Sequence, residues 1–284
     1  MKDVKAEILF NERVGTDYFK MSVASPVIAR SAKPGQFVQV RCNDSSDPLL
    51  RRPFSIHRLT RHSSRVTGFE ILYETVGRGT GLLSKKKSGE SVKVLGPLGN
   101  GFTLPRLEEV KNRHQKSILI AGGIGVAPLG FLVEELAKKK INTIVLIGAN
   151  TKNMVLCEND FKRLGAEVHV TTDDGSHGCK GLVSKLFQKI LQTANSKQPF
   201  DFTQDRRTTI YACGPQPMLK CIAGISKKEG LECQVCVEEK MACGIGVCLG
   251  CAVSVRSSKP KTNILYKFAC KDGPVFDADE IVWS

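Results

Sequence analysis

Four cysteines near the end of the 284-residue chain constrain its fold more than any other feature of the sequence. Three lie in the stretch Cys243-Gly-Ile-Gly-Val-Cys248-Leu-Gly-Cys251, and Cys270 follows after eighteen further residues. The spacing C-x4-C-x2-C with one distant cysteine is that of thiolates holding two irons and two sulfides. Three ligands must fold round one small inorganic core, and the fourth must close it from elsewhere in the chain.

Glycines fill the cysteine loop, at Gly244, Gly246 and Gly250. Glycine tolerates positive φ and lets backbone N–H groups come close, so the loop can wrap a cluster and donate hydrogen bonds to its sulfurs. A structural zinc site is the alternative, but zinc sites of four cysteines usually pair two C-x2-C knuckles. We therefore predict a [2Fe-2S] cluster with the ligands Cys243, Cys248, Cys251 and Cys270.

The cysteine count also bears on the compartment. Eleven cysteines is an odd number, and the opening Met1-Lys2-Asp3-Val4 runs straight into charged, alternating sequence without an apolar signal region. We therefore expect a reducing, cytoplasmic location. No stretch approaches the roughly 20 apolar residues needed to cross a bilayer, so we expect no membrane association.

A formal net charge of +14 raises the question of nucleic acid as a partner. The excess is scattered, however, and its two lysine runs, 85–87 and 138–140, have no aromatic interleaving and no nucleic-acid motif around them. We interpret the charge as a solvated basic surface and expect no nucleic-acid binding. A docking face for an acidic protein partner is the alternative.

The first hundred residues contain short β-rich runs broken by glycine, proline and asparagine at turn spacing. The runs cover residues 6–10, 19–24, 37–42, 69–75 and 91–95. This pattern predicts a small antiparallel β-barrel.

Two motifs in the barrel segment are suited to phosphate. In Leu50-Arg51-Arg52-Pro53-Phe54-Ser55, a proline fixes the backbone beside an arginine whose fork of donors matches paired oxygens. In Val76-Gly77-Arg78-Gly79-Thr80-Gly81, backbone amides of a turn entering a short helix can bind an anion. Taken separately, each is equally consistent with a plain feature, a surface arginine beside an edge proline and a tight turn.

The middle of the chain alternates strands with helices. Strands are predicted at 118–121, 143–148, 168–171 and 209–213, and helices at 128–139, 182–191 and 217–229. Such alternation predicts a parallel sheet covered by helices, with ligands at the carboxyl ends of the strands. At these ends stand Gly122-Gly123-Ile124-Gly125, which departs from G-x-G-x-x-G, and Cys213-Gly214, whose cysteine taken alone reads as a buried inert thiol.

The choice between NAD and NADP depends on the turns that follow the strands. A 2′-phosphate needs cations, usually arginine, and only Lys152 lies near the end of the second strand. Asp173 and Asp174, after the third strand, either meet a ribose hydroxyl and repel a phosphate or simply form the turn. We predict NAD.

In this order, the two phosphate motifs, Gly96-Pro97-Leu98-Gly99 and the nucleotide turns resemble the ferredoxin reductase superfamily. The resemblance implies that FAD and a nicotinamide nucleotide bind, with Ser55 near the reactive edge of the flavin and Cys213 beside the nicotinamide. Phe54 stands where many members have tyrosine, so a hydroxyl contact to the flavin is lost. The implied cofactor-binding residues are Arg52, Pro53, Phe54, Ser55, Tyr73, Gly77, Gly79, Thr80, Gly122, Gly123, Gly125, Cys213 and Gly214.

The tail narrows the resemblance. Glu238-Glu-Lys-Met-Ala-Cys243 joined to Cys270-Lys-Asp-Gly-Pro-Val-Phe is similar to the electron-transfer subunits of bacterial NAD-dependent dihydroorotate dehydrogenases. This family implies an oxidoreductase subunit of pyrimidine biosynthesis, in a hetero-oligomer with two copies of each subunit. Its partner, an FMN-containing catalytic subunit, would oxidise dihydroorotate. Related subunits of ferredoxin:NAD(P) oxidoreductases and sulfur-reducing hydrogenases carry similar tails and remain the alternative.

We expect the chain to have no activity on dihydroorotate by itself, because no nucleophile-base arrangement is evident in it.

Cys233 and Cys236 form a C-x-x-C, but the run 231–237 is predicted as the last strand of the sheet, where residues three apart face opposite ways. We therefore expect that the two cysteines are not a functional pair. The predicted organisation is multidomain, β plus α/β. It comprises a FAD-binding antiparallel barrel (1–105), a NAD-binding parallel-sheet domain (106–236) and a small [2Fe-2S] domain (237–284).

Overall fold

The computed structural model describes residues 1–63, 65–105, 115–194, 208–257 and 264–283. The chain divides into two compact units. The barrel unit comprises Met1–Phe102, Glu239–Val253 and Tyr266–Val275, and the sheet unit comprises Thr103–Glu238, Ser254–Leu265 and Phe276–Ser284. The sequence also predicts a polar connector at 106–115 and, because residues 193–207 show no hydrophobic period, a surface insertion there. Apart from their ends, both stretches lie outside the described residues.

Six antiparallel strands close the barrel in the order β1-β2-β5-β4-β3-β6. They are β1 (Lys2–Arg13), β2 (Tyr18–Ala24), β3 (Phe37–Arg41), β4 (Arg52–His62), β5 (Arg65–Glu74) and β6 (Ser91–Leu98). Two short helices, α1 (Pro26–Ala29) and α2 (Arg78–Leu83), lie between them in the chain. The predicted barrel is confirmed, and fully buried aliphatic side chains such as Ile8, Ile56 and Ile71 form its core.

The second half of strand β4 was missed by the sequence pattern. That pattern placed only a strand start at the Arg52 motif, whereas β4 continues to His62. Its distal residues read His-Arg-Leu-Thr-Arg-His, which gives no apolar run and only a weak alternation. Ten paired positions, four against β3 and six against β5, nonetheless hold the strand in place, because a closed barrel pairs every strand on both sides.

The sheet unit contains a seven-stranded sheet in the order β10-β9-β8-β7-β11-β12-β15. Its strands are β7 (Lys116–Gly122), β8 (Asn142–Ala149), β9 (Glu167–Thr172), β10 (Cys179–Lys180), β11 (Thr208–Cys213), β12 (Glu232–Cys236) and β15 (Val275–Asp277). The pairings from β10 through β12 are parallel. The helices between them are α3 (Val126–Lys138), α4 (Glu158–Arg163), α5 (Val183–Ala194) and α6 (Gln216–Lys228), and the predicted parallel-sheet fold is confirmed.

Strands β7 and β11 lie at the centre of this sheet and are buried on both faces. All six residues of β11 are buried, as is the run Ser117–Ala121 of β7. Continuous apolar strands of this kind belong to parallel sheets covered by helices. Since both strands run in the same direction, their carboxyl ends meet at one edge of the sheet, at Gly122 and Cys213.

The prediction that residues 231–237 form the last strand of the sheet was wrong in one respect. Strand β12 forms there, but β15 follows it as a further strand at the edge of the sheet. Strand β15 pairs with the free edge of β12, and the side chains of Val275 and Phe276 are buried there. The sequence pattern had assigned these residues to the cluster segment.

The remaining strands, β13 (Ala252–Arg256) and β14 (Ile264–Phe268), form a separate two-stranded sheet. The division of the chain into three domains at residues 105 and 236 stays a prediction. Within the described ranges, none of the helices combines the length and the apolarity that crossing a membrane requires.

Candidate iron-sulfur, flavin and nucleotide sites

The four predicted cluster ligands all lie in the barrel unit. Cys251 and Cys270 are buried, Cys243 is half-buried and Cys248 is exposed. They fall into two neighbouring pairs, Cys243 with Cys248 and Cys251 with Cys270, and in each pair the second cysteine donates its backbone N–H to the sulfur of the first. Each iron of a [2Fe-2S] cluster takes two protein ligands, so this pairing matches the chemistry that the spacing predicts.

Backbone N–H groups of the cysteine loop point at the sulfurs. Sγ of Cys243 accepts hydrogen bonds from the N–H groups of Ile245, Val247 and Cys248 at 3.3–3.4 Å. Sγ of Cys270 accepts one from Gly246 at 3.1 Å, and Sγ of Cys251 accepts one from Cys270 at 3.4 Å. Donors of this kind stabilise the negative charge of thiolates bound to a metal.

The surroundings of Cys243 and Cys270 shift the pKa values of these two thiols in opposite directions. Burial acts to raise the pKa of Cys243, but the backbone donors of Cys248, Ile245 and Val247 outweigh it and lower that pKa to about 6. At Cys270, burial and then the neighbouring Cys251 thiol raise the pKa to about 12. One ligand is therefore already a thiolate at neutral pH, whereas the other gives up its proton only when iron arrives.

The alternative that the spacing leaves is a structural zinc site, which closes four ligands tetrahedrally round one ion. Two pairs of thiols match the two irons of a cluster, each of which takes two protein ligands. Among the residues that the structure describes, no group of three or more His, Cys, Asp and Glu side chains is arranged to hold one metal ion.

The two predicted flavin motifs are brought together in the barrel unit. A Cβ added to Gly79 would lie 3.0 Å from Nε of Arg52, so the start of helix α2 packs directly against this guanidinium. Nη1 of Arg52 donates to the carbonyl of Leu50 at 2.8 Å, which fixes the direction of the side chain. Arginine and glycine turn therefore face the same space, as a pyrophosphate site requires.

Thr80 holds the turn that precedes helix α2. Its Oγ1 accepts hydrogen bonds from the N–H groups of Val76 (3.0 Å) and Gly77 (3.2 Å) and donates to the carbonyl of Gly77 (3.1 Å). A Cβ on Gly77 would meet nothing within 4 Å, so the turn leaves open space on one side. The threonine shapes this turn, and a ligand can reach the backbone from the open side.

Phe54 and Tyr73, two predicted flavin-binding residues, form a buried aromatic pair. The ring of Phe54 is 5.4 Å from that of Tyr73. Tyr73 is only 1% exposed, burial raises its pKa well above the ordinary value, and its hydroxyl donates to Oδ1 of Asn11 at 3.0 Å. Phe54 thus rests on a tyrosine whose hydroxyl is already used, and the contribution of both residues to flavin binding stays a prediction, as does that of half-buried Pro53 and Ser55.

Glycines bring the predicted nucleotide-binding residues of the sheet unit into contact. A Cβ on Gly125 would lie 2.2 Å from the carbonyl oxygen of Cys213, and one on Gly214 would lie 3.0 Å from Cα of Gly122. The turn after β7 therefore packs against the end of β11 without side chains between them. Gly123 has φ +53° with nothing within 4 Å of its Cβ position, so its backbone is open to a ligand.

Cys213 is a neutral thiol with a partner that the sequence analysis missed. A hydrogen bond with Cys236 and then burial raise the pKa of Cys213 well above its ordinary value. The two cysteines stand opposite each other in the parallel register of β11 and β12. Cys233 is also buried, and burial raises its pKa to about 12. That Cys233 and Cys236 are not a functional pair stays a prediction.

The turn after β9 contains the two predicted aspartates. Oδ1 of Asp174 accepts hydrogen bonds from the N–H (2.9 Å) and the hydroxyl (2.6 Å) of Ser176. The hydroxyl of Ser176 in turn accepts the N–H of Lys152 at 2.8 Å. Asp174 therefore forms the turn, which is the simpler of its two interpretations.

Comparisons with known proteins agree with this geometry. A family model described as the iron-sulfur cluster binding domain of dihydroorotate dehydrogenase B matches residues 238–282, and one described as an oxidoreductase NAD-binding domain matches residues 119–224. The dihydroorotate dehydrogenase B (NAD(+)) electron transfer subunit of Desulforamulus reducens is 41% identical over 279 residues, 98% of each chain. That of Geobacillus sp. (strain WCH70) is 37% identical over 282 residues, 99% of each chain.

The chain belongs to the family of dihydroorotate dehydrogenase B electron transfer subunits. The iron-sulfur model covers all four cysteines of this electron transfer subunit, and the NAD-binding model covers the turn at Gly122–Gly125 together with Cys213 and Gly214. The predicted iron-sulfur cluster and NAD are thereby confirmed as cofactors, while the domain boundaries and the roles of individual residues stay predictions.

Solved structures place the fold of this electron transfer subunit among the ferredoxin reductases. The NADH-dependent reduced ferredoxin-NADP oxidoreductase superposes with a TM-score of 0.77 and 28% identity, over 98% of this chain and 90% of the other. A ferredoxin NADP+ reductase from Neisseria gonorrhoeae with bound FAD and NADP superposes with a TM-score of 0.64 and 16% identity, over 81% and 92%. The second likeness concerns the fold alone.

Proposed function

We propose that this chain passes electrons from the FMN of a dihydroorotate-oxidising partner subunit, through a [2Fe-2S] cluster and FAD, to NAD+ in pyrimidine biosynthesis. The observation that supports this most is the pairing of the four cysteine thiols beneath backbone donors, in the same unit as the Arg52–Gly79 site. A bound flavin exchanges two electrons with nicotinamide and single electrons with an iron-sulfur cluster, so FAD belongs between the other two.

The cysteine loop has a second property suited to electron entry. The apolar side chains of Ile245, Val247 and Leu249 alternate with the cysteines and glycines of the loop and are exposed, Val247 to 73%. Exposed apolar side chains around a functional group mark a surface that a partner protein covers. The catalytic partner subunit that the family name implies would dock here, at the exposed edge of Cys248.

The barrel unit would hold FAD at the start of helix α2. The Arg52 guanidinium supplies donors for the pyrophosphate, and the first turn of helix α2, which begins at Arg78, supplies backbone amides. Phe54 offers an apolar surface against which a flavin ring can pack. The arginine, the backbone amides and the phenylalanine ring are thus suited to the charged and the apolar parts of FAD.

The preference for NAD over NADP is supported by the names of the relatives, which are NAD(+) enzymes. A cleft of about 550 Å³ beyond strand β8 is lined by residues of both charges, among them Lys152, Glu158, Asp160 and Arg163. The two acidic side chains are paired with cations, Glu158 with Lys162 and His177 and Asp160 with Arg163. The cleft itself therefore does not discriminate between the two nucleotides.

The catalytic chemistry on dihydroorotate would lie in the partner. We propose that the partner carries FMN, that the complex contains two copies of each subunit, and that the isolated chain has no activity on dihydroorotate. In the chain itself, the titratable residues of the described sites serve binding and electron transfer. Cys213, the thiol nearest to the predicted nicotinamide position, is held neutral by Cys236 and burial.

A second candidate is a reductase subunit that exchanges electrons between a ferredoxin and NAD(P). The specific observation in its favour is the superposition on the NADH-dependent reduced ferredoxin-NADP oxidoreductase over 98% of this chain. That protein is 28% identical, whereas the dihydroorotate dehydrogenase B relatives reach 41% over the same length. The first proposal is therefore better supported.

Affinity capture from the native host under anaerobic conditions tests the proposal. We expect an FMN-containing protein to co-purify with the chain, and the complex to form NADH from dihydroorotate and NAD+. Capture of a ferredoxin, with ferredoxin reduction by NAD(P)H and no dihydroorotate-linked NADH, would favour the second candidate and contradict the first.

A further inference from the structure

Gln39 on strand β3 is a buried amide without a hydrogen-bond partner among the described residues. Its side chain is fully buried, and neither Nε2 nor Oε1 has a partner in the part of the chain that the structure describes. Leaving a buried polar group unpaired is destabilising, and an apolar side chain of the same size would avoid that cost. A glutamine at this position therefore has a hydrogen bond to make with something other than these protein atoms.

The amide of Gln39 borders the cysteine loop. A Cβ added to Gly244 would lie 2.6 Å from Nε2 and 2.7 Å from Cγ of Gln39, so the loop crosses directly over the end of the side chain. Gly244 immediately follows the ligand Cys243 and has φ +71°, a backbone conformation that brings the loop close at this point. The unpaired amide thus borders the loop that carries three of the four predicted ligands.

Strand β3 also connects this amide to the flavin motif. The register of β3 and β4 pairs Gln39 with Pro53, one residue from Arg52 and from Phe54. All of these residues belong to the barrel unit. Gln39 therefore lies one strand from the predicted flavin site and directly beneath the loop that holds the predicted cluster.

We propose that Gln39 is a positioning residue whose side-chain amide donates a hydrogen bond to a sulfur of the [2Fe-2S] site and thereby raises the reduction potential of the cluster. The inference rests on the proposed function, because it requires the cluster. Hydrogen bonds to cluster sulfurs stabilise the charge added on reduction, and the potential rises as a result. The backbone groups that donate to Cys243 and Cys270 lie within the loop, and Gln39 would add a donor from strand β3.

The test uses the full chain purified anaerobically with its cofactors, and the variant Gln39→Met. Methionine keeps the length and apolar fit of glutamine but removes both N–H donors. We expect iron and flavin contents to stay at wild-type level, the EPR spectrum of the reduced cluster to change, and the equilibrium constant for one-electron reduction to fall about tenfold. That factor is a downward shift of 59 mV in the midpoint potential of the cluster.

Gln36→Met is the matched control. Gln36 lies three residues away in the same unit, and its amide is already used: Nε2 donates to the carbonyl of Gly99 at 2.7 Å and Oε1 accepts the N–H of Lys33 at 2.9 Å. Its replacement also removes a glutamine amide, but not one that borders Gly244. The potential and the EPR spectrum of the cluster should be unchanged in this variant.

Gln39→Leu is a second variant, for the case that methionine disturbs folding. A wild-type cluster potential in either folded variant would overturn the proposal. A shift in the flavin potential alone would also overturn it, because the amide would then serve FAD. Loss of folded protein in both variants, seen by circular dichroism, would assign Gln39 to packing and overturn it as well. Failure of the proposed function would instead show in the wild-type chain, as missing iron or missing dihydroorotate-linked NADH.

Discussion

At the scale of single residues, the cysteine spacing carried most of the information about function. The two pairs of thiols, Cys243 with Cys248 and Cys251 with Cys270, follow the order of the four cysteines along the chain. Two other residues were invisible to the sequence pattern. Gln39 reads as one polar residue in a β run, and the partnership of Cys236 with Cys213 depends on the register of two strands that are distant in sequence.

The first prediction concerns the two glycines of the cysteine loop that differ most in their surroundings. Gly244→Ala should lower the cluster content several-fold, because the new Cβ would approach Gln39 to 2.6 Å and the position has φ +71°. Gly250→Ala is the control, since its Cβ would meet only Sγ of Cys248 at 3.7 Å. Iron and acid-labile sulfide per chain measure the effect, and equal cluster contents in the two variants would contradict it.

The second prediction compares two adjacent arginines. Arg52→Lys should weaken FAD binding about tenfold or more, because a lysine cannot reproduce paired donors to a pyrophosphate and such bonds are worth roughly 1.5–3 kcal/mol. Arg51→Lys should leave the affinity unchanged, since both Nη atoms of Arg51 are bound to Asp3 at 2.8–3.0 Å. Titration of flavin-free protein with FAD, followed by fluorescence, gives both dissociation constants. An equal loss of FAD affinity in the two variants would show that Arg52 has no specific role in binding the pyrophosphate.

At the scale of elements, strands with a clear apolar period were predictable and the others were not. The central strands β7 and β11 are continuous apolar runs, and their bounds differ from the prediction by at most two residues. Strand β4 and helix α4 are short of apolar residues, so tertiary pairing rather than local sequence determines them. The same reason hid β15, whose three residues form a strand only beside β12.

The turn before helix α2 gives the third prediction. Thr80→Val should lower the stability of the barrel unit by about 1 kcal/mol and weaken FAD binding, because the N–H groups of Val76 and Gly77 lose the Oγ1 that accepts them. Thr80→Ser keeps that oxygen and should behave almost as the wild type. Urea unfolding and FAD titration measure the two effects. A valine variant that binds FAD normally would show that the turn does not need its threonine.

The contact between the turn after β7 and the end of β11 gives the fourth prediction. Gly125→Ala should destabilise the chain by several kcal/mol, about the size of a severe core overpacking, because the Cβ would lie 2.2–2.8 Å from backbone atoms of Cys213 and Gly214. Gly224→Ala on helix α6 meets nothing within 4 Å and should stabilise by about 0.5–1 kcal/mol. Thermal unfolding separates the two, and a Gly125→Ala protein as stable as the wild type would contradict the close packing.

At the scale of the whole molecule, length and motif order predicted the fold class correctly. The sequence predicts three consecutive domains, whereas the structure divides into two compact units, each built from separate segments of the chain. The chain after Glu238 contributes alternately to the barrel unit and to the sheet unit. A linear pattern cannot show this, because β13, β14 and β15 are too short to indicate their partners. The net charge of +14 remains best interpreted as a solvated surface, since no described site depends on a cluster of lysines.

The most direct test of the account is reconstitution of electron transfer from dihydroorotate to NAD+ with purified components. The chain and its FMN-containing partner are mixed anaerobically, and NADH is followed at its absorption band. We expect NADH only when both proteins are present, and we expect Cys270→Ser to abolish it while FAD remains bound and Cys221→Ser, which changes an exposed cysteine, has no effect. NADH formation at the wild-type rate by a Cys270→Ser protein that lacks the cluster would contradict the proposed path.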